Sequence, residues 1–420
     1  MKAKFYLIPV ALLLLASCEK SMSEGQTTQS QYLTGGRLRT EAEVRGIAMS
    51  SVLMFSSGQT KSSPKEIASI IPSMGVTKSP MNSPLFYVVN FGDEDGFVVV
   101  GADSDSPEVI VYANKGNYNG VDSEIGAFNL YMAEMSEQLS SFVKRGTDVP
   151  IADYYKTYTD ESSVVNEPLV TVHWGQHQPF NWYCSSPFDD NIPAGCVAVA
   201  LAQIMSSYSY PTSISLSYPS STTSSIALVW ENMTDVSHLA GAHTNDCSTC
   251  SQMAALLREI GHRVGMKYGI RCSTAKDINV RTTLSSFGYK SSEYQNYSLS
   301  KIMNSLNSKH PVYISAGAAG EDVGHAWVVD GSLYTCKTKT TYLISKNFRK
   351  VVAEEFVKNW YLNFNYGWSG SCDGYFLAAT REHGSGEIIV GGSYDEWKVS
   401  MFTGAEGYNQ NVAIIPDIYH

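Results

Sequence analysis

The sequence predicts an α+β fold made of two successive units. Between residues 40 and 143, apolar residues recur at helical spacing, then in short alternating runs, and then at helical spacing again. Three segments between Cys196 and Ser286 have helical spacing, and beyond residue 310 the pattern changes to short runs typical of strands. Helices followed by a series of antiparallel strands are the pattern of an α+β domain.

The length and composition suit a folded protein of two or three domains. The 420 residues are 43% hydrophobic and 11% aromatic, which is enough for sizeable cores. The net charge of −10 argues against nucleic acid or an anionic lipid surface as the main partner. No cofactor is predicted.

The N-terminus predicts export. Two lysines precede an apolar run from Phe5 to Ala16, which is too short for a spanning helix of about 20 residues. The run ends in Leu-Ala-Ser-Cys18, which resembles the bacterial lipobox. We therefore expect a signal peptide over 1–17, lipidation of Cys18, and a lipoprotein of the bacterial cell envelope. Its expected site is the outer membrane, with release after processing. The alternative is an ordinary cleaved secretory signal.

The first unit is predicted to follow a flexible tether over 18–34 and to extend, with a linker, over 35–160. The tether is rich in Ser, Thr and Gln. Polar residues without apolar periodicity predict an exposed linker over 147–168, where proteases cut. The predicted elements are a helix over Thr40–Phe55, a hairpin over Phe86–Phe91 and Gly96–Val100, a strand over Glu108–Tyr112 and a helix over Ala127–Val143.

The second unit is predicted over 161–420, with helices first and strands afterwards. The helices begin at Cys196 and cover Ser251–Val264 and Lys276–Ser286. The strands are Pro311–Ala316, His325–Asp330, Lys358–Asn365, Gly374–Leu377 and Asn411–Ile415.

Cys196 is a candidate nucleophile, because it follows Gly195 and opens an apolar helix. At the first turn of a helix, unpaired backbone N–H groups and the macrodipole favour the reactive thiolate. The alternative is a small buried structural cysteine. Seven cysteines follow Cys18, so an exported chain keeps at least one unpaired thiol.

Two downstream strands carry the partners that thiol chemistry requires. Strand alternation places His325, Trp327 and Val329 on one face, and Ala326 and Val328 on the other. A thiol nucleophile needs an imidazole in reach and a group that orients the imidazole. His325 and Asn365 supply these residue types, in the order expected of papain-like enzymes. Gln176, 20 residues before Cys196, suits the donor for an oxyanion.

A metal site is a weaker interpretation of one cluster. His238, His243, Cys247 and Cys250 follow a spacing close to that of zinc ligands. In an exported chain a disulfide is favoured over zinc, and no metal site is predicted.

Three blocks resemble the streptopain family of cysteine peptidases. They are Ala-Gly-Cys-Val-Ala-Val-Ala-Leu-Ala-Gln-Ile-Met (194–205), Gly-His-Ala-Trp-Val-Val-Asp-Gly (324–331) and Asn-Tyr-Gly-Trp-Ser-Gly-Ser-Cys-Asp-Gly-Tyr-Phe (365–376). The resemblance implies a papain-like, two-lobed peptidase with a helical lobe and an antiparallel sheet lobe. It also implies a zymogen, in which a small α+β prodomain inhibits the enzyme and is removed by autolysis in the linker.

The resemblance also implies roles for individual residues and an apolar preference at the second position before the cut. Cys196 is the expected nucleophile, His325 the general base, Gln176 the oxyanion donor and Asn365 the orienter of His325. Substrate is expected to contact Gly324, Thr274 and Trp368, and a mobile loop is expected around Gly384, Gly386, Gly391 and Gly392. The chain has Tyr366 where the family often has tryptophan.

Two alternative functions are compatible with the same site residues. A Cys196–His325 pair also suits a peptide ligase or a cell-wall amidase, which passes the acyl group elsewhere. A surface binding protein with a silent peptidase fold is the non-enzyme alternative, and Gln176 argues against it. The expected partners are protein or peptide substrates, the chain's own prodomain, and a membrane through the lipid anchor.

Overall fold

The structure is a computed structural model that describes most of the two predicted units. The described residues are 21–22, 37–55, 65–75, 83–104, 106–121, 123, 126–140, 155–184, 192–216, 224–234, 248–270, 272–317, 324–344, 349–383 and 410–420. Within these ranges no helix has the length and hydropathy needed to cross a bilayer. The predicted signal peptide and Cys18 lie outside them.

The first unit packs two helices against a four-stranded antiparallel sheet. Its elements are α1 (Glu41–Phe55), β2 (Ile67–Ser73), β3 (Phe86–Phe91), β4 (Phe97–Gly101), β5 (Val109–Ala113) and α2 (Gly126–Leu139), after a two-residue strand β1 (Ser21–Met22). The predicted hairpin is confirmed as β3 and β4. Both strands are almost wholly buried, because α1 and α2 supply apolar side chains to the same core.

The second unit contains the predicted helices and strands together with several that were not predicted. The helices are α3 (Cys196–Tyr208), α4 (Trp230–Thr234), α5 (Ser248–Val264), α6 (Val280–Ser286) and α7 (Leu299–Asn307). The strands are β6 (Tyr155–Asn166), β7 (Ser213–Leu216), β8 (Ser224–Ala227), β9 (Gln295–Asn296), β10 (Val312–Gly317), β11 (Gly324–Ile344), β12 (Arg349–Asn365), β13 (Gly374–His383) and β14 (Gln410–Ile415).

One sheet runs through both units. Its described strands follow the order β2-β3-β4-β5-β13-β12-β11-β10-β14-β9, and β6 pairs with β11. The junction is the antiparallel pairing of β5 with β13, in which Tyr112 lies opposite Tyr375. The first unit therefore occupies the sheet edge that the second unit would otherwise leave open.

Two apolar cores lie on opposite faces of β11. Trp327 and Val329 belong to a core shared by the two units, whereas Ala326 and Val328 face the core around α3 and α5. The predicted alternation of this strand is thus confirmed. The two cores correspond to the sheet lobe and the helical lobe of the predicted α+β peptidase fold.

The linker prediction was wrong over its second half. Residues Tyr155–Asn166 form β6, which pairs with β11 from Leu343 to Ser332. The segment carries Tyr, Thr and Val among its polar residues, and edge strands accept such a composition when their ladder hydrogen bonds are made. Residues 147–154 lie outside the described part of the chain.

Candidate active site

Cys196 is the first residue of α3, as predicted. Gly195 before it has φ +95, and a Cβ there would lie 2.6 Å from Cε of Met266. Only glycine fits this left-handed, crowded position without strain. The chain can therefore turn sharply into the helix and present the Cys196 thiol at its N-terminus.

Backbone N–H groups surround the Cys196 sulfur, but burial outweighs them. Hydrogen bonds from the N–H groups of Ala326, Val197 and Cys196 itself lower the pKa of the thiol. Burial acts more strongly in the opposite direction and raises the pKa of Cys196 to about 11. In the form that retains the first unit, burial therefore opposes the thiolate that the helix N-terminus favours.

His325 lies on β11 directly before Ala326, whose N–H bonds to the Cys196 sulfur. Its Nε2 is 3.1 Å from the backbone oxygen of Tyr366. A carbonyl oxygen only accepts hydrogen bonds, so Nε2 carries the proton and Nδ1 is the acceptor of the neutral ring. Burial lowers the pKa of His325 to about 4, which keeps the ring neutral and able to take a proton.

Aromatic rings enclose the His325 imidazole. The ring of Trp327 stacks at 5.9 Å between centroids, and those of Tyr366 and Trp368 lie at 6.1 and 6.3 Å. These rings pack beside the part-buried hydrogen bond between His325 and the Tyr366 carbonyl.

Asn365 does not have the predicted contact with His325. Its Nδ2 donates to the backbone oxygen of Val172 at 2.8 Å, and its Oδ1 accepts from Gly367 N–H at 3.3 Å. The hydrogen bond to the imidazole comes from the neighbouring Tyr366 carbonyl instead. The correction follows from strand geometry, because Asn365 ends β12 with both polar atoms committed to holding adjacent backbone.

Gln176 lies beside the segment that leads into Cys196. Its backbone oxygen accepts the N–H of Ala194 at 2.8 Å, and the residue is buried. Because Ala194 is two residues before the nucleophile, this bond fixes the Gln176 segment against the helix N-terminus. The oxyanion role of its side-chain amide remains a prediction.

The three predicted substrate-binding residues occupy different places. Trp368 is half-buried near His325. Thr274 forms a β-bridge with Lys267, and Ser273 beside it packs against Gly195. Gly324 is exposed next to His325, and a Cβ there would lie 2.6 Å from the oxygen of Ala316, so close strand pairing also favours glycine. The predicted loop around Gly384–Gly392 lies outside the described residues.

Sequence reasoning missed two polar groups near the site. Asp277 accepts hydroxyl hydrogen bonds from Tyr313, Ser315 and Tyr294 at 2.7, 2.8 and 3.3 Å, and its charge raises the pKa of Cys196. The second is the ion pair of His173 with Asp373 at 2.8 Å. The signals for this pair were that Asp373 lies inside the third quoted block and that His173 lies three residues before Gln176.

At Cys250 the structure has a disulfide bond, which argues against the alternative of a zinc site. Cys250 is disulfide-bonded, and a disulfide sulfur is not a thiolate ligand. His238, His243 and Cys247 lie outside the described residues. Among the described side chains, no group of three or more His, Cys, Asp or Glu could hold a metal ion.

A helix-borne cysteine beside a strand-borne histidine, between a helical and a sheet lobe, defines a papain-like cysteine peptidase fold. Comparison with known families agrees. The profile of the Peptidase C10 family matches residues 174–376, and the profile of the Spi protease inhibitor matches residues 45–139. Residues 174–376 are therefore a cysteine peptidase domain of the streptopain family, and residues 45–139 are the propeptide domain that precedes it.

The chain is similar in sequence to two bacterial proteins. The "Thiol protease/hemagglutinin PrtT" of Porphyromonas gingivalis is 27% identical over 378 residues, covering 79% of this chain and 38% of that protein. The chain thus spans well under half the length of this relative. "Streptopain" of Streptococcus pyogenes is 26% identical over 324 residues, covering 69% of this chain and 73% of that protein.

One solved structure shows the same fold. A fragment of prointerpain A from Prevotella intermedia superposes with a TM-score of 0.51 and 20% identity, covering 84% of this chain and 99% of the fragment. The predicted α+β, papain-like architecture with a preceding prodomain is therefore confirmed.

Proposed function

We propose that the chain is a cysteine endopeptidase made as a zymogen and activated by autolytic removal of its prodomain. The observation that carries the proposal is the contact between the nucleophile helix and the histidine strand. The Ala326 N–H bonds to the Cys196 sulfur, and His325 beside it is held by Tyr366 with Nδ1 left as an acceptor.

These groups define a mechanism of acyl transfer. As Cys196 attacks the substrate carbonyl, its thiol proton passes to Nδ1 of His325. The tetrahedral oxyanion accepts hydrogen bonds from the Cys196 N–H and from the Gln176 amide. His325 then protonates the leaving amine, and water hydrolyses the thioester with His325 again acting as base. The Tyr366 carbonyl stabilises the imidazolium that forms in each half-reaction.

The protonation states fit a latent enzyme. A thiol pKa of about 11 and an imidazole pKa of about 4 favour the neutral pair over thiolate and imidazolium. Burial causes both shifts, so removal of the prodomain would reverse them if it lets water reach the dyad.

The prodomain contacts the turn that carries the Tyr366 carbonyl. Lys115 Nζ donates to the oxygen of Ser369 at 3.2 Å, and the N–H of Asn114 donates to the oxygen of Asp373 at 3.2 Å. The ring of Phe55 packs 5.2 Å from that of Tyr375. These contacts support the role of the prodomain as an intramolecular inhibitor.

The position of β6 limits where activation cleavage can occur. A peptidase binds its substrate as an extended, unpaired segment, whereas Tyr155–Asn166 is hydrogen-bonded along β11. We therefore place the activating cut ahead of Tyr155. Protein and peptide substrates with an apolar residue at the second position before the cut complete the proposal.

The N-terminal motif supports export as an envelope lipoprotein anchored through Cys18. Multiple acyl chains on one cysteine would hold the zymogen stably at a membrane, and removal of the prodomain would release the peptidase. Metabolic labelling with a fatty acid, compared between the parent chain and Cys18→Ala, tests this part separately. Equal labelling of the two chains would contradict it.

The activity is tested with the precursor and its Cys196→Ala variant. We expect the precursor to mature and to cleave a denatured protein, and Cys196→Ala to do neither. Cys272→Ala is the matched control, because Cys272 is a free, exposed thiol outside the proposed dyad. A peptidyl epoxide should label Cys196 after maturation, and replacing His325 should abolish this labelling. Equal maturation and cleavage by the precursor and Cys196→Ala would overturn the proposal. Products with new amide bonds would favour the ligase alternative.

A further inference from the structure

A buried carboxylate closes the turn between β12 and β13. Asp373 is 4% exposed, and both of its oxygens have partners. Oδ1 accepts the backbone N–H of Tyr366 at 2.8 Å, and Oδ2 lies 2.8 Å from Nδ1 of His173. None of the catalytic roles described above uses this carboxylate.

We call the contacts of Asp373 with Tyr366 and His173 the clamp. The turn needs such a stabilising contact because several of its backbone φ angles are unfavourable. Gly367, Ser369, Gly370 and Cys372 all have positive φ, at 74, 54, 87 and 58°. A positive φ strains a non-glycine residue, so the surroundings must hold Ser369 and Cys372 in this conformation. The Asp373 bond to Tyr366 joins the two ends of the turn.

The clamp acts on the residue that orients the base. The same Tyr366 whose N–H is bound by Asp373 accepts the Nε2–H of His325 through its carbonyl oxygen. A change in the backbone at Tyr366 would therefore rotate or withdraw the acceptor that selects the His325 tautomer.

His173 extends the clamp to the other side of the site. It lies three residues before Gln176, and the N–H of Ser369 donates to the oxygen of the intervening Trp174 at 3.2 Å. The ion pair thus ties the predicted oxyanion segment to the histidine-holding turn. Asp330 and Lys115 also face His173, and their charges act on its ring in opposite directions.

We propose that Asp373 and His173 are positioning residues that fix the Tyr366 carbonyl on His325 and align it with the Gln176 segment. The proposal rests on the proposed catalytic roles of Cys196 and His325. It assigns no contact with substrate to either positioning residue.

Two measurements test the proposal. In the full chain carrying Cys196→Ala, ¹⁵N NMR of histidine reports the tautomer of His325, with His325→Gln identifying its signals. In the chain with Cys196 intact, kcat and KM are measured on a peptide after maturation. Because the first measurement needs no activity, a chain that fails to cleave peptides would refute the proposed function without deciding this inference.

For Asp373→Ala we expect mixed tautomers of His325. We also expect kcat to fall about 10- to 100-fold, as for a misplacement of about 1 Å, with KM nearly unchanged. Asp373→Asn keeps an acceptor for the Tyr366 N–H, so it should restore the single tautomer and most of kcat. Glu259→Gln is the matched control, since this buried carboxylate pairs with Arg263 at 2.8 Å on α5. It should change neither measurement.

An unchanged tautomer together with an unchanged kcat in folded Asp373→Ala would overturn the proposal. Equal losses in Asp373→Ala and Glu259→Gln would also overturn it, because they would indicate general destabilisation. Should Asp373→Ala not fold, His173→Gln replaces it, since the side chain of His173 is 47% exposed. A loss in kcat of less than about threefold for His173→Gln would then reject the clamp.

Discussion

Asp330 should make the stability of the chain fall with increasing pH, and Asp330→Asn should remove this dependence. The carboxyl group lies on β11 at 1% exposure. Its Oδ2 accepts the N–H of Val170 at 3.0 Å, while Oδ1 has no hydrogen-bond partner among the described residues. Burial, with a smaller contribution from the charge of Asp373, raises the pKa of Asp330 from 3.8 to about 8.

The sign and size of the effect follow from linkage. Below pH 4 the carboxyl group is protonated in both folded and unfolded chains, so it adds no pH dependence. Between pH 4 and 8 the unfolded chain loses this proton and the folded chain keeps it, so the free energy of unfolding falls. The shift of about four pKa units corresponds to about 6 kcal/mol at about 1.4 kcal/mol per unit.

Asparagine has nearly the same shape and no charge. It can accept the Val170 N–H, although its unpaired amide hydrogens cost about 1–3 kcal/mol at every pH. The difference in unfolding free energy between Asp330→Asn and the parent should therefore rise by several kcal/mol from pH 4 to pH 8.

The assay is denaturant unfolding of the full chain at intervals of pH, with Cys196→Ala present in every protein to prevent autolysis. Glu259→Gln serves as control, because it removes a buried carboxylate that has a cationic partner. A difference between Asp330→Asn and the parent that does not vary with pH would refute the reasoning. So would a difference that falls as the pH rises.

Three further predictions concern the nucleophile turn, the prodomain and the corrected amide. Gly195→Ala should lower stability by about 1–3 kcal/mol and slow alkylation of the nucleophile, because its φ of +95 and the Met266 side chain exclude a Cβ. An unchanged Tm in thermal unfolding would contradict this prediction. Phe55→Ala should remove a buried prodomain ring, cost about 3–5 kcal/mol and speed maturation of the precursor, as followed by gel electrophoresis. A maturation rate equal to that of the parent would argue against docking through this ring. Asn365→Ala should lower stability by about 1–3 kcal/mol yet leave the His325 tautomer unchanged in ¹⁵N NMR. Mixed tautomers would return the orienting role to the amide.

The local pattern of apolar residues was sufficient to predict most of the helices and strands. Apolar periodicity predicted α1, α2, α3 and the hairpin of β3 and β4, because these elements bury one face or both in a way that neighbouring residues determine. It did not predict the length of β11 and β12 or the strand β6. Their outer parts are polar and are held by ladder hydrogen bonds to distant residues.

The chemical groups of the site and their order along the chain could be identified from the residues alone. A glycine before Cys196, a histidine on an alternating strand, and a glutamine upstream of the helix indicated thiol chemistry before any contact was known. The sequence also assigned the faces of β11 correctly, because strand alternation depends only on the backbone.

The contacts that hold those groups in place depend on long-range packing. The choice of the Tyr366 carbonyl over Asn365 depends on where β12 ends relative to Val172, which no local pattern encodes. The pKa shifts of Cys196 and His325 depend on burial, which is a property of the assembled fold. The continuation of the sheet from β5 to β13 likewise joins segments more than 250 residues apart. Spacing along the chain identifies reactive residue types, whereas desolvation and long-range hydrogen bonds fix their orientation and protonation.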